Sequence, residues 1–316
     1  MKCRIRSKPL LRGIVCLTAL LPAFPCFSQA PLHRFEYRHP AMGTLFRIVC
    51  YAPDSLLAGR AARAAFMTVD SLEMIFSDYR EDSELSRLSA QSGSGRKVKV
   101  SAPLWDVLRL SKTISRKSDG AFDVTIGPLS HLWRRSFRQN EFPGQDNIDA
   151  AKERVNWRWL RLCRNNRVKL KRKNMRLDLG GIAKGYALDK AMARLNQFHI
   201  DRALVDGGGD LLLGPAPPGQ TGWDIAQPGG KARLAGLSIA VSGDRYRYLE
   251  WEGKRYSHLI DPRTGIGVTH GLTVSVQAPT GALADALASA CSILGPGRTD
   301  GLMQAFPGCS VSFRQK

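Results

Sequence analysis

Residues 177–187 read L-D-L-G-G-I-A-K-G-Y-A, in which apolar residues lead into two adjacent glycines and then into a helix-forming sequence. We expect a strand before the glycines and a helix after them that runs to about Gln197. Such a turn favours phosphate, because backbone N–H groups and the helix dipole both face the anion. Lys184 is followed by Gly rather than Ser or Thr, and the spacing is not G-x-G-x-x-G, so neither standard nucleotide motif is present. Taken alone, the stretch is a weak signal for an anion site.

A second polar corner lies at residues 256–265, Y-S-H-L-I-D-P-R-T-G. Pro262 fixes its own φ and biases Asp261 toward extended geometry, so a strand should end here, and Gly265 permits a turn that other residues resist. The corner presents the imidazole of His258 and a carboxylate beside an arginine and a threonine. A surface hairpin requires none of these groups together. We therefore expect this corner to face a nucleotide and a metal ion.

A helix of small apolar residues is predicted from about residue 280 to 294, with a stop at Gly295. Asp285 and Ser289 are four residues apart in it, so their oxygens project from one face toward the core. A lone buried carboxylate is costly unless it is paired or bound to a metal, and Mg²⁺ accepts a carboxylate, a hydroxyl and carbonyls. From the residues alone, a metal site and a helix-terminal cap are equally good interpretations.

The rest of the chain mixes helices and strands without a regular βαβ alternation, which predicts an α+β or irregular α/β fold. Helices are expected over residues 55–76, from near Ser83, and from Ser101 to a stop at Gly120. The glycine cluster at 207–209 indicates a bulge or a close backbone approach within a strand. Strands are predicted at 46–51, 223–226, 237–241 and 272–277, with an irregular segment before the first and a hairpin around 165–166.

The chain is strongly basic, with 47 Lys and Arg against 27 Asp and Glu, a formal net charge of +20. Residues 1–30 carry a basic segment, an apolar run at 13–24 and a closing S-Q-A, which predicts a secretory signal with cleavage near Ala30. The apolar run is short for a membrane span, although an uncleaved anchor is the alternative. Removing this segment takes away five basic and no acidic residues and leaves +15. We therefore expect an exported, periplasmic protein that meets anionic ligands or membrane surfaces rather than nucleic acid.

Basic residues concentrate between positions 133 and 176. A solvated basic face is the plainer interpretation, and attraction to an acidic partner or a membrane surface is the other. The basic residues are Arg134, Arg135, Arg138, Arg158, Arg161, Arg164, Arg167, Lys169, Lys171, Arg172 and Lys173.

Four cysteines remain after the signal, none in a C-x-x-C pair, so one or two disulfides and buried thiols are equally compatible with the sequence.

Together these segments resemble the ApbE family, the FAD:protein FMN transferases, over nearly the whole mature chain. The matching motifs, in order, are M-G-T (42–44), F-S-x-Y (76–79), S-E-L-S (83–86), D-G-A-F-D (119–123), L-D-L-G-G-I-A-K-G-Y (177–186), G-G-D (208–210), S-G-D (242–244), H-L-I-D-P-R-T-G (258–265) and A-D-A-L-A (284–288). The resemblance implies an α+β, T-fold-like arrangement of mixed sheets packed with helices, in one large globular unit over residues 31–316.

The resemblance also implies an extracytoplasmic, Mg²⁺-dependent enzyme. It would cleave the FAD pyrophosphate, move the FMN unit to a threonine hydroxyl of a target flavoprotein and release AMP. Two alternatives are hydrolysis of FAD to FMN and AMP, and an exported flavin-binding protein without turnover. FAD, the target flavoprotein and Mg²⁺ are the partners that the main interpretation requires.

Functional positions carry over from the family residue by residue. Asp285, the Ser289 hydroxyl and the Ala183 carbonyl match metal ligands. His258 and Asp261 lie in the motif expected nearest the reacting phosphate, with His258 as the preferred base and Asp261 as its orienter or the base itself. The positions that match FAD contacts are Met42, Tyr79, Asp119, Gly120, Ala121, Gly180, Lys184 and Leu259.

Two residues depart from the family pattern. The family usually has Thr where this chain has Ser289, which keeps the oxygen but loosens its rotamer. The family often has an aromatic residue where Arg245 follows S-G-D. Neither change removes a required group, although the first is expected to weaken metal affinity.

Overall fold

A seven-stranded antiparallel sheet lies at the centre of the computed structural model, which describes Met1 and residues 31–227, 230–243 and 248–315. Its strands are β1 (His33–Ala41), β2 (Thr44–Ala52), β6 (Ala203–Gly207), β7 (Leu211–Leu213), β10 (Leu237–Ser242), β13 (Thr273–Ala278) and β14 (Ser310–Arg314). They pair in the order β1-β2-β6-β7-β10-β13-β14, and every pair is antiparallel. Three small sheets accompany it: β3 (Val98–Lys99), β5 (Arg167–Leu170) and β4 (Leu160–Cys163); β8 (Trp223–Gln227) with β9 (Gly230–Leu234); and β11 (Tyr248–Trp251) with β12 (Lys254–Ser257).

Helices cover one face of the main sheet, because alternate strand residues point into a shared core. On β2, Phe46, Ile48 and Cys50 are fully buried against the helices, whereas Val49 packs on the opposite face with Trp223 of β8. Residues 32–316 form one compact unit, so the α+β prediction is confirmed. The helices are α1 (Ser55–Phe76), α2 (Glu84–Ala90), α3 (Ala102–Lys117), α4 (Gly127–Gln139), α5 (Gln145–Lys152), α6 (Ala183–Asn196), α7 (Gly281–Leu294) and α8 (Asp300–Gln304).

Two glycines allow α6 and α7 to cross in direct backbone contact. A Cβ at Gly185 would overlap the carbonyl oxygen of Gly281, and a Cβ at Gly281 would overlap the carbonyl oxygen of Gly185. The helices also cap each other. Asp189 of α6 accepts hydrogen bonds from the N–H of Gly281 and of Ala282 at 2.6 and 3.0 Å, and Asp285 of α7 accepts one from the N–H of Gly185 at 3.0 Å.

Most predicted elements are confirmed. The helix over residues 55–76 has those bounds, the helices after Ser83 and Ser101 use these serines as N-caps, and α7 ends at Gly295 with a φ of 73°. The hairpin at Asn165 and Asn166 joins β4 to β5 with positive φ at both residues. Strands at the other predicted positions appear as β2, β8, β10 and β13.

The expected strand before the paired glycines is absent. Residues 177–182 belong to no strand, and their backbone groups bond to loops and side chains instead of a ladder. The N–H of Leu177 donates to the hydroxyl of Ser89, and the N–H of Asp178 donates to the carbonyl of Val124. The apolar residues of this stretch are buried without sheet pairing, which a sequence pattern does not distinguish from a strand.

Three further expectations about strands were wrong in whole or in part; a strand does end in the polar corner, but before its histidine. The irregular segment before residue 46 contains β1, which forms a hairpin with β2. Gly208 and Gly209 form the turn between β6 and β7 rather than a bulge, and both have positive φ. The alternative expectation, a close approach of the backbone, is confirmed at Gly208, where a Cβ would overlap the Thr44 side chain. At the polar corner, β12 ends at Ser257, and residues 258–265 follow as bends and turns with one isolated bridge between Ile260 and Gly267.

The signal was predicted over residues 1–30, of which 2–30 lie outside the described residues, as do Asp244 and Arg245. Within the described chain, no helix has the length and apolar character needed to cross a membrane. Cys50, Cys163, Cys291 and Cys309 are all free thiols.

We predict that Gly185→Ala lowers the free energy of unfolding by about 3 kcal/mol, because the added methyl overlaps a backbone oxygen that cannot move without separating the helices. Denaturant unfolding measures the change. Gly301→Ala in α8 is the matched control, since no atom lies within 4 Å of its added Cβ, and it should be neutral or stabilising by about 0.5 kcal/mol. Equal losses in the two variants would contradict the crossing as described.

Candidate active site

Three charged side chains meet at the start of α6. Lys184 lies in the first turn, and its ammonium forms an ion pair with Asp210, which follows the turn between β6 and β7. Asp285 on α7 is only 6 % exposed. Burial raises the pKa of Asp285 to about 7, the charge of Lys184 opposes this shift and that of Asp210 adds to it. Burial alone would lower the pKa of Lys184, but the carboxylates of Asp285 and Asp210 outweigh burial and raise it.

Oxygen atoms of Asp285 and Ser289 face the glycine turn that precedes α6. Oδ2 of Asp285 accepts the hydrogen bond from Gly185, so this carboxylate does cap the helix. Within the described residues, no hydrogen bond reaches Oδ1 of Asp285 or the hydroxyl of Ser289. A Cβ at Gly181 would lie 2.7 Å from the Ser289 hydroxyl, which places that oxygen against the turn. Ala183, the first residue of α6, lies between the two contact points.

An oxygen-only metal site is the kind that these residues fit. No group of three or more His, Cys, Asp and Glu side chains suited to a metal occurs in the described part of the chain. An ion here would therefore draw on one carboxylate, a hydroxyl and carbonyl oxygens, a donor set that Mg²⁺ accepts when substrate phosphates and water complete the shell. The cap and the metal site are compatible, because the cap uses only one oxygen of Asp285.

Arg134 of α4 joins two of the predicted contact regions. Its guanidinium forms ion pairs with Asp78 and with Asp178, the second at 2.7 Å, and its Cζ lies 4.2 Å from the centre of the Tyr79 ring. Asp178 in turn accepts a hydrogen bond from the N–H of Gly180 at 2.8 Å. Burial and the charge of Asp178 raise the pKa of Asp78, and Arg134 partly offsets them. Tyr79 is 69 % exposed, so one aromatic face is open beside the glycine turn.

Residues 119–121 form a left-handed turn after α3. Asp119 and Gly120 have φ values of 47° and 77°, and the Asp119 carboxylate is exposed. Gly120 and Ala121 are buried, so the exposed part of this turn is the Asp119 side chain. The next residue, Phe122, lies 3.4 Å from the Cβ position of Gly181, which brings this turn beside the glycines before α6.

Asp123 holds the chain that follows the 119–121 turn through three hydrogen bonds. Its carboxylate accepts hydrogen bonds from the N–H and hydroxyl of Thr125, both at 2.7 Å, and from the N–H of Trp157 at 2.8 Å. Burial raises the pKa of Asp123 to about 6 despite these bonds. The indole of Trp157 lies 3.4 Å from the Cβ position of Gly120, so the carboxylate positions the wall behind the turn.

Met42 occupies the tight hairpin turn between β1 and β2. Met42 and Gly43 both have positive φ, 50° and 72°, and the N–H of Met42 donates to Glu73 of α1 at 3.0 Å. The hairpin lies next to the β6–β7 turn, because a Cβ at Gly208 would be 3.0 Å from the Cβ of Thr44. The β6–β7 turn leads directly to Asp210, the ion-pair partner of Lys184.

The polar corner at 258–265 is held by its own arginine. Both carboxylate oxygens of Asp261 accept hydrogen bonds from the Arg263 guanidinium, at 2.8 and 2.7 Å. Asp261, through its hydrogen bonds and charge, and to a lesser extent the charge of Asp119 raise the pKa of Arg263. Leu259 has both backbone groups engaged, with Ser257 and Val268. His258 is half-buried between these residues.

The predicted positions outside the polar corner thus form a connected set around the start of α6, and the corner is anchored separately, by the hydrogen bond from the Trp133 indole of α4 to the carbonyl of Gly265. Several charged residues that hold this set were not predicted as functional. Asp178 and Asp210 lie inside recognised motifs, so proximity to the glycines was a usable signal. No such signal marked Arg134, because it is one of many arginines in the basic stretch. The unpredicted residues are Asp78, Asp123, Arg134, Asp178, Asp189, Asp210 and Arg263.

Solved structures with the same architecture are flavin transferases. The flavinyl transferase ApbE from Pseudomonas stutzeri superposes with a TM-score of 0.79 and 27 % identity, covering 90 % of this chain and 92 % of that one. The flavin transferase ApbE from Vibrio cholerae gives a TM-score of 0.77 and 27 % identity, covering 90 % and 94 %. The fold is therefore that of the ApbE flavin transferases.

The chain belongs to the ApbE family, whose model matches residues 42–313. A relative from Treponema pallidum (strain Nichols) is 32 % identical over 325 residues, which cover 95 % of this chain and 89 % of the relative. A relative from Escherichia coli (strain K12) is 32 % identical over 274 residues, covering 81 % and 77 %. Both relatives are named FAD:protein FMN transferase.

We predict that Arg134→Met destabilises the protein by about 3 kcal/mol at pH 8, because it leaves Asp78 and Asp178 buried without their counterion. Losing the arginine raises the pKa of Asp78 further. A carboxyl whose folded-state pKa lies above its unfolded value loses stability as pH rises through the folded-state value, so the loss should be smaller at pH 5.

Denaturant unfolding at the two pH values measures the effect. Arg135→Met is the control, since Arg135 is exposed and, among the residues that the structure describes, bonds only to Gln139, so a change within about 0.5 kcal/mol is expected. A loss that is independent of pH would show that Arg134 contributes packing rather than charge.

Proposed function

We propose that this chain transfers the FMN unit of FAD to a threonine hydroxyl of a target flavoprotein and releases AMP. The observation that carries the proposal is the meeting of separated family motifs around the start of α6, in a chain that matches the family over residues 42–313. The threonine oxygen forms a bond to the phosphorus of the FMN unit. The bond from that phosphorus to the oxygen of AMP breaks, and the threonine proton passes to a base.

For metal binding we propose the Asp285 carboxylate, the Ser289 hydroxyl and the carbonyl of Ala183 as Mg²⁺ ligands. Bound Mg²⁺ would neutralise pyrophosphate charge and stabilise the leaving AMP. Support comes from the two oxygens without hydrogen bonds within the described residues, and from the burial of Asp285. Lys184 adds a second positive charge, and its ammonium has donors beyond the one given to Asp210.

FAD contacts are proposed for the backbone and ring surfaces that surround this point. Gly180 is exposed and lets a ligand approach the backbone closely, and Tyr79 offers an open aromatic face for a flavin or adenine ring. Gly120 is a contact that we propose in the turn after α3. The other proposed contacts are Met42, Asp119, Ala121, Lys184 and Leu259.

His258 is our proposed base. Asp261 was the other candidate, but both of its carboxylate oxygens accept hydrogen bonds from Arg263, which occupies the atoms that would take a proton. An imidazole titrates near neutrality and can take the threonine proton at physiological pH. We assign Asp261 the task of shaping the turn that presents His258.

We further propose that the protein is exported to the periplasm and associates there with an anionic membrane surface. The basic and apolar pattern of residues 1–30 supports export, and the charge of +15 that remains without them supports attraction to anionic lipid.

Incubating the protein with FAD, Mg²⁺ and a threonine-containing flavoprotein acceptor should give a fluorescent acceptor and an equal amount of AMP. Denaturing electrophoresis detects the covalent flavin, and chromatography measures AMP. Free FMN with an unlabelled acceptor would instead identify a hydrolase. Binding of FAD without AMP release would identify a flavin-binding protein.

Asp285→Asn should reduce Mg²⁺-dependent FMN transfer at least a hundredfold, since a neutral amide is a poor Mg²⁺ ligand. Isothermal titration with Mg²⁺ should show the binding lost, while the fold persists, because the amide oxygen can still accept the Gly185 hydrogen bond. Asp189→Asn is the control: this residue caps the neighbouring helix at the same crossing, and its loss should lower stability but spare Mg²⁺ binding. Unchanged Mg²⁺ affinity in Asp285→Asn would refute the ligand assignment.

A further inference from the structure

Like charges face each other across the small sheet β3-β5-β4. Arg161 of β4 is directly opposite Lys169 of β5, and Lys99 of β3 is directly opposite Arg167 of β5. The alternate residues of these strands, such as Val168, are buried in the core. The four cations therefore point outward from one face, which we term the basic sheet face.

The charge of this face is not balanced by a carboxylate in the part of the chain that the structure describes. Within the described residues, none of the ion pairs involves its four cations, and residues 157–176 contain nine basic residues and no acidic one. Like charges directly opposite on neighbouring strands destabilise a sheet. The chain thus maintains an unfavourable arrangement that an anionic partner would relieve.

A basic cavity borders the same face. It has a volume of about 480 Å³, lies between α2 and β3, and is lined by Arg87, Arg96, Lys97 and Lys99. Glu84 also lines it, but one of its oxygens accepts a hydrogen bond from the N–H of Ser101 at 2.6 Å. The cavity is large enough for a phosphate headgroup at the edge of a cationic surface.

We infer that the basic sheet face, with this cavity at its edge, is the surface that docks on an anionic phospholipid membrane. The inference rests on the proposed membrane association and is independent of FMN transfer. A sheet face that presents four cations side by side suits a planar charged surface. Nucleic acid fits less well, because β3, β4 and β5 contain no aromatic residue on which a base could stack.

The test uses vesicles of equal parts phosphatidylglycerol and phosphatidylcholine, and vesicles of phosphatidylcholine alone, in a sedimentation assay at low and high salt. The wild-type full chain should bind only the anionic vesicles and be released by salt. A variant with Lys99, Arg161, Arg167 and Lys169 all changed to Gln should bind on the order of a hundredfold more weakly. Its melting temperature should stay equal or rise, since the facing like charges are gone.

A second fourfold Gln variant has the same net charge and is the matched control. It changes the exposed residues Arg60, Arg63, Lys231 and Arg314, which lie on α1, β9 and β14. This control should retain vesicle binding within about threefold. Equal losses of vesicle binding in both variants would overturn the basic sheet face as the docking surface, because net charge alone would then explain the binding. Failure of the wild-type chain to bind anionic vesicles, or tighter binding to a DNA duplex at the same salt, would overturn membrane docking itself.

Discussion

The candidate site depends on the backbone contact between α6 and α7. Because Gly185 and Gly281 carry no side chain, the two helices approach until each can cap the other, with Asp189 and Asp285 as the capping residues. This closeness brings the Asp285 carboxylate and the Ser289 hydroxyl to the glycine turn that opens α6. A wider crossing would leave Asp285 buried without its backbone donor and would separate it from the turn.

The same crossing sets the charge balance. Asp285 and Asp210 lie near one lysine, Lys184, and in the described part of the chain that lysine forms an ion pair only with Asp210. Burial therefore leaves Asp285 with a raised pKa, a state that favours either a proton or a cation at the carboxylate. Both oxygens of Asp189 accept capping hydrogen bonds from α7, whereas Asp285 uses only Oδ2 to cap α6. The unfavourable burial of Asp285 is thus consistent with a function for this carboxylate beyond capping.

Features set by neighbouring residues could be predicted from the sequence, whereas contacts between residues far apart in the chain could not. Helices α1 and α7 and the positions of Asp285 and Ser289 follow from local periodicity and caps, so the sequence predicts them well. Residues 177–182 looked like a strand because burial alone produces an apolar run. The bridging role of Arg134 depends on two carboxylates 56 and 44 residues away. No local pattern carries that information, and a run of neighbouring arginines conceals it.

Helix α4 holds the two sides of the site at a fixed spacing. Trp133 is fully buried, and its indole donates a hydrogen bond to the carbonyl of Gly265 at 2.8 Å, which anchors the corner that carries His258. The next residue, Arg134, points elsewhere on the helix and binds the two carboxylates beside Tyr79 and the glycine turn. Consecutive helical residues are about 100° apart, so one rigid turn of α4 reaches both sides at once. The base and the flavin contacts that we propose are therefore positioned by a single element that itself supplies no reacting group.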